Sequence, residues 1–138
     1  MARSSKPRHA RRPRLVRIPM TKGLHDQFGM TLHTALAAMT LAPARDQFDA
    51  IAQIFNVIGL AIEHDARFTI EAVALASGAS AMNQIAAGCE RTGALRPTEI
   101  EMLPVRNAVN ICDEILSRID VTHLYLANKR LSEIRRTA

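Results

Sequence analysis

The side chains able to do chemistry are few, and their spacing says more than their number. Beyond His9 in the basic N-terminal stretch, histidines fall at His25 and His33, two helical turns apart, inside Glu63-His64-Asp65, and at His123. A zinc or di-iron site built on a helix needs two ligands one turn apart, as in H-E-x-x-H, or a Glu-x-x-His pair. Neither pattern occurs. Glu63-His64-Asp65 falls at a predicted helix junction, where charged residues cap helices or face solvent. Cys89 and Cys112 have neither metal-ligand spacing nor the density of a disulfide scaffold. No G-x-S-x-G occurs, and no glycine-rich phosphate loop precedes a lysine. These residues predict no catalytic set, no metal and no cofactor. They describe a non-enzyme with two buried, reduced thiols, as in a cytoplasmic protein.

The remaining chemistry is charge. Arg3, Lys6, Arg8, Arg11, Arg12, Arg14 and Arg17 lie in the first nineteen residues with no acid among them. Residues 20–138 hold the other eleven bases and all thirteen acids, so the arm carries +7 and the rest −2. The net charge of +5 and the pI near 10 belong to the arm. Six of its seven bases are arginine, whose guanidinium pairs bidentately with phosphate. Such a cluster predicts contact with DNA or RNA through the backbone. A second basic group, Lys129, Arg130, Arg135 and Arg136, ends the chain and would join the arm in one positive face if the last helix folds beside it. Four Phe, one Tyr and no Trp leave little for stacking on bases.

Arg11-Arg12, an apolar stretch and Ala42-Pro43-Ala44 outline a secretory signal. His25, Asp26, His33 and three threonines interrupt that outline, and the basic part is long, so the cytoplasm is the expected location. No run approaches the ~18 apolar residues of a membrane span.

Positioning these groups falls to helices. Pro7, Pro13 and Pro19 break residues 1–20 into extended chain, and high charge with few apolar groups predicts a disordered arm. Leu15, Val16 and Ile18 are its apolar exception and could lie against the body. Residues 21–138 form one domain. Leu24, Phe28, Leu32, Leu36 and Met39 make a helical stripe. Phe48, Ile51, Phe55, Ile58 and Ile62 make a second, over about 43–63. A third helix, about 65–91, is paved with alanine and glycine and stopped by Gly93, and it predicts close packing of Ala76 and Ala79. Thr98 and Glu101 match a capping box, after which Pro104 kinks or divides the helix bearing Ala108, Ile111, Ile115 and Ile119. Asp120 or Thr122 would cap a last helix carrying Leu124, Ala127, Leu131 and Ile134. The fold class is all-α, a bundle of four to five helices.

One internal segment competes with this reading. Val73-Ala74-Leu75-Ala76-Ser77-Gly78-Ala79-Ser80 resembles the turn of bacterial helix-turn-helix repressors, with Asn83 and Gln84 on a reading helix that ends at Gly88. Gln84 falls where that motif needs a branched apolar residue, and the helix lacks Arg or Lys, so one continuous helix is the favoured reading. In a continuous helix Gly78→Ala is neutral or stabilising where the methyl fits; at a turn it destabilises.

The whole chain resembles a group of small accessory proteins of proteobacterial prophages, plasmids and genomic islands. The resemblance rests on the arm running into Ile18-Pro19-Met20-Thr21, on Phe55-Asn56-Val57-Ile58-Gly59-Leu60-Ala61-Ile62, and on Leu103-Pro104-Val105-Arg106-Asn107-Ala108. It transfers no site residue. It implies a mobile-element accessory protein acting on host nucleic-acid machinery. The expectation is therefore a nucleic-acid-associated protein without a membrane partner. The alternative is a protein-binding inhibitor of a host defence or regulatory complex, and a helix-turn-helix repressor over 73–88 comes third. A homodimer is compatible with all three.

Overall fold

The computed structural model describes residues 22–137, with side chains over 26–134; the arm, residues 1–20, lies outside the described residues. The order is α1 (Lys22–Leu41), α2 (Arg45–Ile62), a single 3-10 turn (Ala66–Phe68), α3 (Thr69–Thr92), α4 (Glu99–Arg118) and α5 (Val121–Thr137). Among the described residues there is no strand. The domain is an all-α bundle of five helices.

Local sequence accounts for most of these limits. Gly93 ends α3 in the left-handed conformation, φ 74°, and its N–H donates to the Cys89 carbonyl at 2.7 Å. At the start of α4 the Thr98 hydroxyl accepts from the Glu101 N–H at 3.1 Å, while Glu101 accepts from the Thr98 N–H at 2.9 Å. This capping box satisfies two N–H groups that a bare helix end would leave unpaired. Thr98→Ala should therefore destabilise the protein by about 1 kcal/mol. The check is a lower urea midpoint with an unchanged m-value.

Packing follows the stripes. Leu32 and Met39 of α1, Ile51, Phe55, Ile58 and Ile62 of α2, and Val105, Val109, Ile115 and Leu116 of α4 are all within 2 % of complete burial. No charged or polar residue is buried with them among the described residues. Each large side chain so placed contributes roughly 1.5–3 kcal/mol through removal of apolar surface from water. The most extensive contact is between α3 and α4, an antiparallel pair joined by residues 93–98. α1 packs on α2 and α4, and α5 lies chiefly on α2.

Four sequence expectations need correction. The third helix does not begin at residue 65: Asp65 caps the 3-10 turn by accepting from the Arg67 N–H at 3.0 Å, and α3 follows from Thr69. Pro104 does not divide α4, which runs unbroken from Glu99. A proline there removes only the N–H due to the Ile100 carbonyl, and Ile100 is 80 % exposed, so water can serve that group. Ala76 is exposed and Ala79 half-buried; the close approach of α3 to α4 is at Gly78 instead. A Cβ on Gly78 would lie 2.3 Å from the Ala108 Cβ, 3.2 Å from the Pro104 carbonyl oxygen and 3.3 Å from a Phe55 ring carbon. Last, the added methyl does not fit, so Gly78→Ala cannot distinguish a continuous helix from a turn.

Candidate functional site

Charge in the described part of the chain runs against the arm. Residues 26–134 hold eight Lys and Arg and thirteen Asp and Glu. Five of the eight bases are engaged by acids: Arg45 with Asp49 at 3.9 Å, Arg67 with Asp65 at 2.8 Å, Arg106 with Glu99 at 3.1 Å, Arg118 with Glu71 at 2.9 Å, and Arg130 with Glu63 at 3.4 Å. Arg91, Arg96 and Lys129 make none of these pairs. Of the second basic group, Lys129 and Arg130 are exposed on α5. Arg135 and Arg136 stand near the end of α5, and their side chains lie outside the described residues. Arg3, Lys6, Arg8, Arg11, Arg12, Arg14 and Arg17 also lie outside them. The structure thus places two of the eleven predicted phosphate contacts, and one of those two is tied to Glu63.

One end of the bundle gathers the tightest polar cluster. Phe68 is fully buried, with the Arg118 guanidinium 4.8 Å and the Arg67 guanidinium 5.2 Å from its ring centroid. Arg118 also donates to Glu71 at 2.9 Å and to the Arg67 carbonyl at 3.2 Å, so the last turn of α4 is fastened to the start of α3. The Arg67 side-chain bonds hold the Asp65 carboxyl below its ordinary value, against partial desolvation. Glu71 is lowered as well, first by its backbone hydrogen bond and then by Arg118. Both acids are depressed, so what they contribute to stability is present above the ordinary carboxylate range and lost as pH falls through their lower folded values. A cleft of about 570 Å³ opens beside this cluster, lined by His64, Asp65, Arg67, His123 and Arg130 among others. It mixes signs, with Arg67 and Arg130 already paired, so it is no phosphate cradle.

The other histidine contact was not visible in the sequence. His33 Nε2 lies 2.6 Å from the Asp113 carboxylate, joining α1 to α4 across eighty residues. Gly29, one turn earlier, makes room: a Cβ there would lie 3.1 Å from the same carboxylate. Gly29 and His33 at i,i+4 were the only local sign, and it pointed to no partner. Among the described residues, no group of three His, Cys, Asp or Glu is placed to hold a metal ion.

Cys112 is fully buried, and burial pushes its thiol up to about 12, with Asp113 adding to the shift. A neutral thiol is a poor nucleophile. Cys89 is only half-buried. At pH 8 one thiol per chain, Cys89, should react with a disulfide reagent under native conditions, and Cys112 only after denaturation. Equal rates in a Cys89→Ser and a Cys112→Ser variant would contradict this burial. The raised folded value also carries a stability cost at alkaline pH: the unfolded thiol ionises from about 9, and stability falls as pH rises from there toward 12.

Residues 73–88 contain no turn. They are the middle of α3, and Asn83 and Gln84 are exposed on an uninterrupted helix. The geometry of a helix-turn-helix is absent from this segment, because Gly78 serves contact with α4 rather than a change of direction. Instead α3 and α4 expose apolar side chains, Ile70 (81 %) and Val73 (70 %) on one and Ile100 (80 %) and Leu103 (60 %) on the other.

These features define an all-α bundle, acidic over its described part, in a chain that begins with a strongly basic segment. No family model, curated protein or solved structure matches the chain. Among the described residues no helix is long and apolar enough to cross a membrane.

Proposed function

We propose that this protein binds DNA or RNA through phosphates, using the arginine arm, and that the bundle is the body to which the arm is attached. The setting is the accessory role that the sequence resemblance implies, in the cytoplasm that the cysteine usage and the interrupted leader pattern lead us to expect. The observation carrying this reading is the division of charge. The described body has five more acids than bases, and most of its arginines are already paired, so affinity for a polyanion has to come from elsewhere. Seven cations in the arm supply it, while the acidic body adds repulsion that limits non-productive contact.

The test is a gel shift of the full chain on duplex DNA and on RNA at two salt concentrations. With at most seven phosphates neutralised on duplex DNA, the slope of log K against log salt is expected to be no steeper than about −6. Affinity then falls by up to about 3.6 orders of magnitude between roughly 50 and 200 mM salt, with little sequence preference. Asn83→Ala with Gln84→Ala should leave it unchanged. A tight, salt-resistant complex with one sequence would refute the arm as the contact.

Exposed Ile70, Val73, Ile100 and Leu103 favour a second reading, a protein partner that buries them. Under that reading the protein is an inhibitor of a host complex, and Val73→Glu with Leu103→Glu would abolish its effect without touching nucleic-acid binding.

A further inference from the structure

A groove between α2 and α5 is lined by Ile54, Val57, Leu124 and Tyr125 among others, with Phe28 contributed by α1. Its volume is about 390 Å³, room for a few side chains rather than for a helix of another protein. Phe28 stands six residues from Lys22, where α1 begins, so about 9 Å of helix separates them. The chain enters α1 from residues 14–19, Arg14-Leu15-Val16-Arg17-Ile18-Pro19, which hold the apolar cluster of the arm. An extended chain spans at most about 3.3–3.6 Å per residue, so Ile18 and Val16 lie within reach of the groove.

The same segment is shaped for it. A proline at 19 disfavours helical backbone at the residue before it, a bias toward extended chain that would lower the entropy lost on docking. In extended chain Val16 and Ile18 point to one side and Arg17 to the other. The side bearing Val16 and Ile18 matches the apolar wall, while Arg17 would face away from it.

We propose that the α2–α5 groove is the docking site of the chain's own Val16 and Ile18, so that the arm divides into a docked root and a basic run, residues 3–12, that extends from it. The docking does not depend on what the basic run binds.

The experiment is a nuclear Overhauser measurement on the full chain with labelled Ile, Leu and Val methyl groups, the native side chains supplying the contact. Cross-peaks from Ile18 and Val16 methyls to the Tyr125 ring and Val57 methyls are expected; Tyr125 is the only tyrosine, so its ring signals are unambiguous. In a Val16→Ser, Ile18→Ser variant, which keeps all seven charges, amide exchange over 121–128 should quicken by about tenfold while the α3–α4 pair is unaffected. Absence of the cross-peaks, with exchange over 121–128 unchanged in the variant, would overturn the docking. Cross-peaks found only between differently labelled chains would overturn it too, assigning the groove to a second copy. Because the variant keeps its charges, loss of docking and loss of nucleic-acid binding are read separately.

Discussion

Gly78→Ala should lower the melting temperature by on the order of 10 °C, from overpacking that typically costs about 1–3 kcal/mol in a domain of this size. The reason is a single contact. The new Cβ would stand 2.3 Å from the Ala108 Cβ, far inside carbon–carbon contact distance, and α3 and α4 would have to separate along their most extensive interface. Helix propensity works the other way, favouring alanine by about 1 kcal/mol, and it is outweighed. A double-mutant cycle identifies the cause. Ala108→Gly alone loses about 1 kcal/mol of propensity. Combined with Gly78→Ala it removes the clash, so the double variant should be more stable than Gly78→Ala alone, with a coupling energy of at least about 1 kcal/mol. Recovery will be incomplete, because the Pro104 carbonyl and the Phe55 ring remain 3.2 and 3.3 Å away. Strict additivity of the two changes would show that these helices do not meet at this pair.

The second large effect concerns affinity. Removing residues 1–13 deletes Arg3, Lys6, Arg8, Arg11 and Arg12, five of the seven arm charges, and leaves the apolar root in place. Affinity for duplex DNA at about 50 mM salt should drop by three orders of magnitude or more, and the salt slope should fall to about −2. Helical circular dichroism and melting temperature should stay nearly constant, since the buried side chains described in the bundle, from Leu32 to Ala127, all lie outside the deletion. Neutralising Lys129 and Arg130 on α5 should matter far less, because Arg130 already faces Glu63 at 3.4 Å. If the truncated chain binds as well as the full one, the polyanion contact lies on the body, and the proposed division of labour fails. Unfolding of the truncated chain would instead make residues 1–13 part of the core.

The helices, the place where α3 stops, the capped start of α4 and the imbalance of charge were all legible in the order of residues. These are local or compositional quantities. A stripe at three- and four-residue steps, a glycine free to take positive φ, and a threonine three residues before a glutamate act within one turn of chain, so they can be read without knowing the partner element. The tertiary structure alone decided which small residue meets α4. Gly78 and Ala76 look alike in an alanine-rich helix, and only the rotation of α3 against Pro104 and Ala108 turns one inward and leaves the other in solvent. It also decided that His33 faces Asp113, that Arg118 covers Phe68, and that Arg118 and Arg130 are spent on Glu71 and Glu63, 47 and 67 residues away. The contacts between helices join residues as far apart as Gly78 and Ala108, 30 positions, and His33 and Asp113, 80 positions. No local periodicity encodes such a pair, because its distance is fixed by how whole helices pack and not by the turn in which either residue sits.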